Sequence, residues 1–185
     1  QIMDTSTSMN DEAAALCAGL PQVAASLSAA GLEVTTTTLG ICDLPGGAYA
    51  CLENTVIALL GSTVPGNPPA EIAILGACPG GNEVCQEDWG RATAVVAGLF
   101  PWAPEGESVR VVIPIADEGP WCGDPSSGND QTSINHAISV ANSSGVVVSP
   151  IIGSGASAAV LALAEQLAAG TGGEAFSSSK PSIDI

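Results

Sequence analysis

Near the start of the chain, Asp4-Thr5-Ser6-Thr7-Ser8-Met9 sets one carboxylate and two serine hydroxyls at alternate positions. A tight loop with that spacing turns three oxygens toward one point. Hard divalent cations such as Mg²⁺ and Ca²⁺ are held by oxygen shells of this kind. A second acid, Asp117, stands in Ile115-Ala116-Asp117-Glu118-Gly119, where the apolar run Val109–Ala116 ends. Two ionised carboxylates brought close together need a cation or a shared proton between them. Singly, each motif has an ordinary reading: Asp4 or Ser8 caps a helix, and Asp117 opens a solvated turn. Their joint placement at the ends of two apolar strands favours the ion.

Other chemistry is less well supplied. Ser149 and Ser154 lack a G-x-S-x-G elbow, and His136, the sole histidine, falls inside a predicted helix. Nucleophilic catalysis therefore has no placed base. Hydrolysis by the pair Asp4 and Asp117 is conceivable, but the two serines beside Asp4 favour a metal. Gly153-Ser154-Gly155-Ala156-Ser157-Ala158 has the G-x-G-x-x-A spacing of a dinucleotide turn. Only Glu174 follows as a ribose acid, and no further βαβ half follows, so a plain strand-to-helix turn is the simpler reading. Asn142-Ser143-Ser144 fits a glycosylation sequon. Trp121, in the loop after Asp117, suits a binding rim as well as a core.

The elements that must position these groups alternate between strand and helix. Gln1–Met3 is a short apolar lead into Asp4. Asn10–Ala30 reads as a helix with Pro21 inside it. Leu32–Ile41 is a β-branched strand, Pro45-Gly46-Gly47 a turn, and Ala48–Leu52 its return strand. Asn54–Leu60 reads as a helix, and Gly61–Glu83 as a long loop rich in Pro and Gly. Glu87–Phe100 is a helix stopped by Pro101. Val109–Ala116 and Val146–Ile152 read as strands buried on both faces. Gln131–Asn142 and Ala156–Ala169 are helices, and Glu174–Phe176 opens a last strand. This pattern predicts an α/β domain over residues 1–185. Its sheet is Rossmann-like and doubly wound, mostly parallel with one antiparallel edge hairpin, and helices cover both faces. Such folds bind ligands at the carboxyl ends of their strands, where Asp4 and Asp117 stand.

Composition narrows the partners. Three Lys+Arg stand against nineteen Asp+Glu in 185 residues, a net charge of −16. Nucleic acid and anionic membrane surfaces are excluded, because both need clustered cations. No apolar run reaches the roughly 18–20 residues of a bilayer span, so membrane insertion is excluded as well. A hydrophobic content of 46% argues against disorder. Six cysteines in a short chain point to a secreted, extracellular or cell-surface home with disulfides.

The segment Asp4–Met9 resembles the D-x-S-x-S metal-ion-dependent adhesion site of von Willebrand factor A (VWA) domains. Asp117 resembles that site's second aspartate. Thr171-Gly172-Gly173-Glu174-Ala175-Phe176 resembles the T-G-G passage into their last strand. The likeness covers essentially the whole chain in order. It implies a Rossmann-like sheet with Mg²⁺, Ca²⁺ or Mn²⁺ at its top edge. Asp4, Ser6 and Ser8 would face the ion, and Asp117 would act through water. The vacant metal position would take an acidic side chain of a protein ligand or neighbouring subunit. The implied function is a secreted or cell-surface adhesion and protein-interaction module, not an enzyme. The alternative is a subunit of an extracellular fibre or sheath in which the domain is structural.

Two places depart from the family's pattern. Its threonine ligand comes from the loop that here reads Glu83-Val84-Cys85-Gln86-Glu87-Asp88-Trp89, without Thr or Ser. Glu87 is the first substitute and Gln86 the next; Glu87 serves equally as a first-turn helix acid. A glutamate ligand would strengthen cation binding and weaken recruitment of an acidic partner. Only Gln1-Ile2-Met3 precede Asp4, against the five or six residues of a usual strand, roughly. The expectation is a first strand truncated at its N-terminus, in a chain that is a fragment. Among the cysteines, Cys42 and Cys51 flank the hairpin turn and form the first pairing. Cys78–Cys85 would close a small loop beside the ion. Cys17–Cys122 remains by elimination, with Cys85–Cys122 as its rival.

Overall fold

Short apolar runs form a parallel sheet, and Ala-rich segments between them form the helices that cover it. The computed structural model describes residues 1–59, 86–123 and 128–177. Its strands are β1 (Ile2–Met3), β2 (Leu39–Gly40), β3 (Asn54–Thr55), β4 (Arg110–Val112), β5 (Pro114–Ala116), β6 (Val146–Val148), β7 (Ile151–Ile152) and β8 (Phe176–Ser177). Its helices are α1 (Asn10–Ala29), α2 (Val56–Leu59), α3 (Trp89–Leu99), α4 (Gly128–Ser143) and α5 (Ala158–Thr171). Six strands make one sheet in the order β3-β2-β1-β5-β7-β8, while β4 and β6 make a second ladder. Every pairing between these strands is parallel. The chain is therefore α/β with a Rossmann-like sheet. β4 and β5 are pieces of one run broken at Ile113. β6 and β7 are pieces of another, broken where Pro150 has no N–H to give the ladder.

Successive strand residues point to opposite faces, and the two faces bury separate clusters. Ile2, Ala116 and Ile152 join the larger one, with Trp89, Val95, Ile134, Leu163 and Leu167 from α3, α4 and α5. Met3, Ile115 and Ile151 join the smaller one, with Met9, Ala13, Leu16 and Tyr49. Helices thus lie on both faces, α1 against the smaller cluster. Among the described residues no helix is long and apolar enough to cross a membrane.

The predicted edge hairpin is not formed. Gly46 and Gly47 take positive φ values of 74° and 57°, and Gly47–Tyr49 winds into a 3-10 turn where Ala48–Leu52 was to return as a strand. Residues 41–53, about the dozen that a parallel connection needs, carry the chain across. β3 consequently runs parallel to β2, with Leu39 opposite Asn54. Of the predicted strand Leu32–Ile41, only Leu39–Gly40 joins a ladder, because β1 offers it only Ile2 and Met3. The long loop Gly61–Glu83 lies outside the described residues.

The cysteine pairing changes for the same reason. Without a hairpin nothing sets Cys42 opposite Cys51; the 3-10 turn lays Cys51 on α1, where it bonds Cys17. That bond also removes Cys17–Cys122. Cys122 is itself disulfide-bonded, and Cys78 and Cys85 lie outside the described residues. The Cys17–Cys51 link spans 34 residues, a closure that stabilises by about 3–4 kcal/mol in the chain-entropy picture. It fastens a helix that fully buries only Ala13.

Candidate metal centre

β1 and β5 are neighbours, with Ile2 opposite Pro114 and Met3 opposite Ile115. Asp4 and Asp117 are the residues that follow these strands on the same edge. The Asp4 N–H still donates to the Ile115 carbonyl at 2.9 Å, so the carboxylate leaves the sheet from a fixed backbone. The loop then turns on itself: the Ser6 N–H donates to Asp4 Oδ1 at 2.7 Å. Ser6 Oγ and Ser8 Oγ lie 2.8 Å apart, and Ser8 Oγ donates to Asp117 Oδ1 at 3.3 Å. Asp4, Ser6, Ser8 and Asp117 thus form one chain of hydrogen bonds. At its buried end Asp4 Oδ2 finds no hydrogen-bond partner among the described residues, although Asp4 is fully buried.

Three neighbours hold the Asp4 loop. The Thr5 N–H donates to the Gln86 carbonyl at 3.3 Å. Tyr49, the only tyrosine in the chain, donates its hydroxyl to the Ser6 carbonyl at 2.5 Å. Cys51, close behind Tyr49, is tied to α1 by the disulfide. The Gln86 side chain turns aside to Asp43 Oδ2 at 2.7 Å.

The Asp117 loop is anchored as firmly. Trp89 Nε1 donates to the Glu118 carbonyl at 2.9 Å. The Gly90 N–H and Ser133 Oγ both reach the Pro120 carbonyl, at 3.0 and 3.2 Å. The Trp121 N–H donates to Asp130 Oδ1 at 3.0 Å. Beneath these contacts the buried Arg91 pairs with Asp88 and approaches Cys122 Sγ at 3.6 Å. Hydrogen bonds of this kind fix the directions of the groups in front of them.

Glu87 stands beside the chain of oxygens but is turned to Glu118, with which it shares a hydrogen bond. It packs on Gly123, where an added Cβ would meet Glu87 Oε2 at 1.8 Å and where φ is +72°. Its carboxyl is pushed up to about 7, first by burial and then by the charge of Glu118. Asp4 is likewise pushed up to about 7 by burial, opposed by the Ser6 hydrogen bonds and reinforced by Asp117 and Glu87. Asp117 is raised by burial, opposed by Ser8 and reinforced by Glu118. Three acids that resist ionisation together are stabilised as anions by a nearby divalent ion.

The donor set fits a hard cation: two hydroxyls and two carboxylates, one of them with a buried oxygen that has no partner among the described residues. Among the described residues no group of three or more His, Cys, Asp or Glu side chains is arranged to hold a metal. A site here depends on the serines.

Nothing in the sequence pattern marks Tyr49, Glu118 or Trp89 as part of the site. Glu12, in the first turn of α1, was also missed; it accepts from both the N–H and the hydroxyl of Ser154, at 3.1 and 2.8 Å. That contact puts a carboxylate on the Gly153–Ala158 turn, where a dinucleotide phosphate would have to sit, and Ser157 simply caps α5. Thr171-Gly172-Gly173 ends α5: Gly172 is left-handed at φ 78°. The Thr171 hydroxyl accepts from the Val148 N–H at 3.1 Å. No family model, curated protein or solved structure matches the chain.

Proposed function

We propose that the chain is a VWA-like domain in which Asp4, Ser6, Ser8 and Asp117 hold a divalent cation, Mg²⁺ or Ca²⁺, with Mn²⁺ as a substitute. The observation that supports this most is the connected set of hydrogen bonds from Asp4, whose buried Oδ2 has no partner among the described residues, through Ser6 and Ser8 to Asp117. Asp4 and the two hydroxyls are the direct ligands in this reading, and Asp117 orients Ser8 and a metal-bound water. The ion supplies a fixed positive charge that can accept an oxygen from a protein partner. The domain is then a secreted or cell-surface adhesion module and not an enzyme; the Cys17–Cys51 disulfide suits such a compartment. Glu87, released from Glu118 on losing its proton, adds charge at the ion's rim. That charge strengthens cation binding and weakens capture of an acidic partner side chain.

Calorimetric titration with Mg²⁺ and Ca²⁺, before and after Asp4→Ala, tests the site. The parent binds one ion with Kd of about 10⁻⁴ M, typical of extracellular modules, and the variant loses that binding. Equal binding in the variant removes the proposal. Partner capture that persists in EDTA removes the adhesion role while leaving the ion.

A further inference from the structure

We propose, on the reading that Asp4, Ser6 and Ser8 hold a divalent ion, that the Cys17–Cys51 disulfide is a redox control on that site. With the bond closed the Asp4–Met9 loop is set for the ion; with the bond reduced the loop is released. The loop has two supports. Thr7–Met9 winds into a 3-10 turn that runs directly into α1 at Asn10. Tyr49 holds the middle, its hydroxyl donating to the Ser6 carbonyl at 2.5 Å. The disulfide joins one support to the other. Cys17 stands about two turns into α1, and Cys51 follows Tyr49 by two residues. The Cys51 N–H donates to Cys17 Sγ at 3.3 Å. The Leu52 N–H donates to the Tyr49 carbonyl at 3.0 Å, which closes the short stretch between Tyr49 and Cys51.

Little else fastens α1. Of its 20 residues only Ala13 is fully buried, and among the described elements it packs chiefly on the Gly47–Tyr49 and Thr7–Met9 turns. Half-buried Leu16 adds to the smaller cluster. Cys17 and Cys51 are themselves only half-buried, so a dithiol reaches them. Its thiolate attacks one sulfur, the Cys17–Cys51 bond breaks and a mixed disulfide forms. Its second sulfur then displaces the protein, and the reductant leaves as a cyclic disulfide. Two electrons and two protons end on Cys17 and Cys51. With the bond gone Tyr49 and α1 can part, and the Ser6 and Ser8 oxygens lose their fixed directions. Affinity and redox state are linked both ways: a bonded form that binds the ion more tightly is made harder to reduce by the ion.

The test is a redox titration of the intact protein in dithiothreitol buffers, with Ca²⁺ or with EDTA. Alkylation and mass spectrometry read Cys17 and Cys51 apart from the other cysteines, and calorimetry follows Ca²⁺ binding. The expected result is a Ca²⁺ affinity about tenfold lower in the reduced protein, with the fold retained by circular dichroism. The Cys17–Cys51 midpoint then lies about 30 mV more negative in saturating Ca²⁺. Cys17→Ser/Cys51→Ser, never reduced, shows the same loss of affinity, which assigns it to this bond and not to the one at Cys122. The parent's own midpoint reads the coupling without any substitution. Tyr49→Phe, which cuts one support, shows less than half the midpoint shift. Equal midpoints in Ca²⁺ and EDTA, in a protein that binds Ca²⁺ when oxidised, overturn the redox control and leave the metal site standing. An oxidised protein that binds no Ca²⁺ overturns both. Reduction that unfolds the chain altogether, or a full midpoint shift in Tyr49→Phe, also overturns the control as drawn.

Discussion

Asp4→Asn removes the charge that a cation is proposed to neutralise. Asp4 is fully buried, and its carboxyl lies at about 7 instead of the ordinary 3.8. A carboxyl raised in the folded state holds its proton more tightly there than in the unfolded chain. Its contribution to stability is complete below the ordinary value and is lost as the pH rises through about 7. At about 1.4 kcal/mol per tenfold change in proton affinity, the loss reaches roughly 4 kcal/mol in the absence of cation. Asp117 and Glu87 are raised as well and act in the same direction. Urea melts in EDTA across about pH 5 to 8 read this directly. The parent weakens steadily over that range; Asp4→Asn weakens much less and is the more stable of the two at the alkaline end. Ca²⁺ at a hundred times its Kd restores about 2.7 kcal/mol to the parent and nothing to the variant. A parent whose stability in EDTA is flat or rises with pH, or a variant with the parent's slope, refutes the reasoning.

Three further substitutions probe the frame of the site. Cys17→Ser removes the disulfide to Cys51 and lowers stability by about 2–4 kcal/mol, read as a shift in the urea midpoint. Tyr49→Phe leaves the Ser6 carbonyl without its hydroxyl donor. A cost of about 1–3 kcal/mol is expected in melts, and calorimetry should show cation affinity falling with it; an unchanged affinity would separate Tyr49 from the site. Gly123→Ala sets a Cβ against Glu87 at a left-handed position, costing about 1 kcal/mol or more. It also displaces Glu87 from Glu118, so calorimetry should register an altered proton release when Ca²⁺ binds.

Much of the parallel frame could be read from the chain because its signals are local. Val109–Ala116 and Val146–Ile152 are apolar runs of strand length, and both became strands, interrupted at Ile113 and at Ser149–Pro150. The edge hairpin failed because Pro45-Gly46-Gly47 signals a turn without saying where the chain goes next. The direction of β3 was settled by its register on β2, a contact between distant segments. The Cys42–Cys51 pairing fails with it, since Cys51 meets Cys17 of α1 instead of standing across a hairpin. At the site, alternate oxygens in one loop are a sequence pattern, so Asp4, Ser6 and Ser8 were legible. Tyr49, Glu118 and Trp89 act through a carbonyl, a neighbouring carboxyl and an indole N–H. No spacing in the sequence marks such contacts.

The most direct measurement is an anomalous difference map from crystals soaked in Mn²⁺. The predicted result is one peak about 2.0–2.6 Å from the oxygens of Asp4, Ser6 and Ser8, on the side facing Asp117. A peak bound elsewhere, or none there while Mn²⁺ saturates the protein in solution, would contradict it.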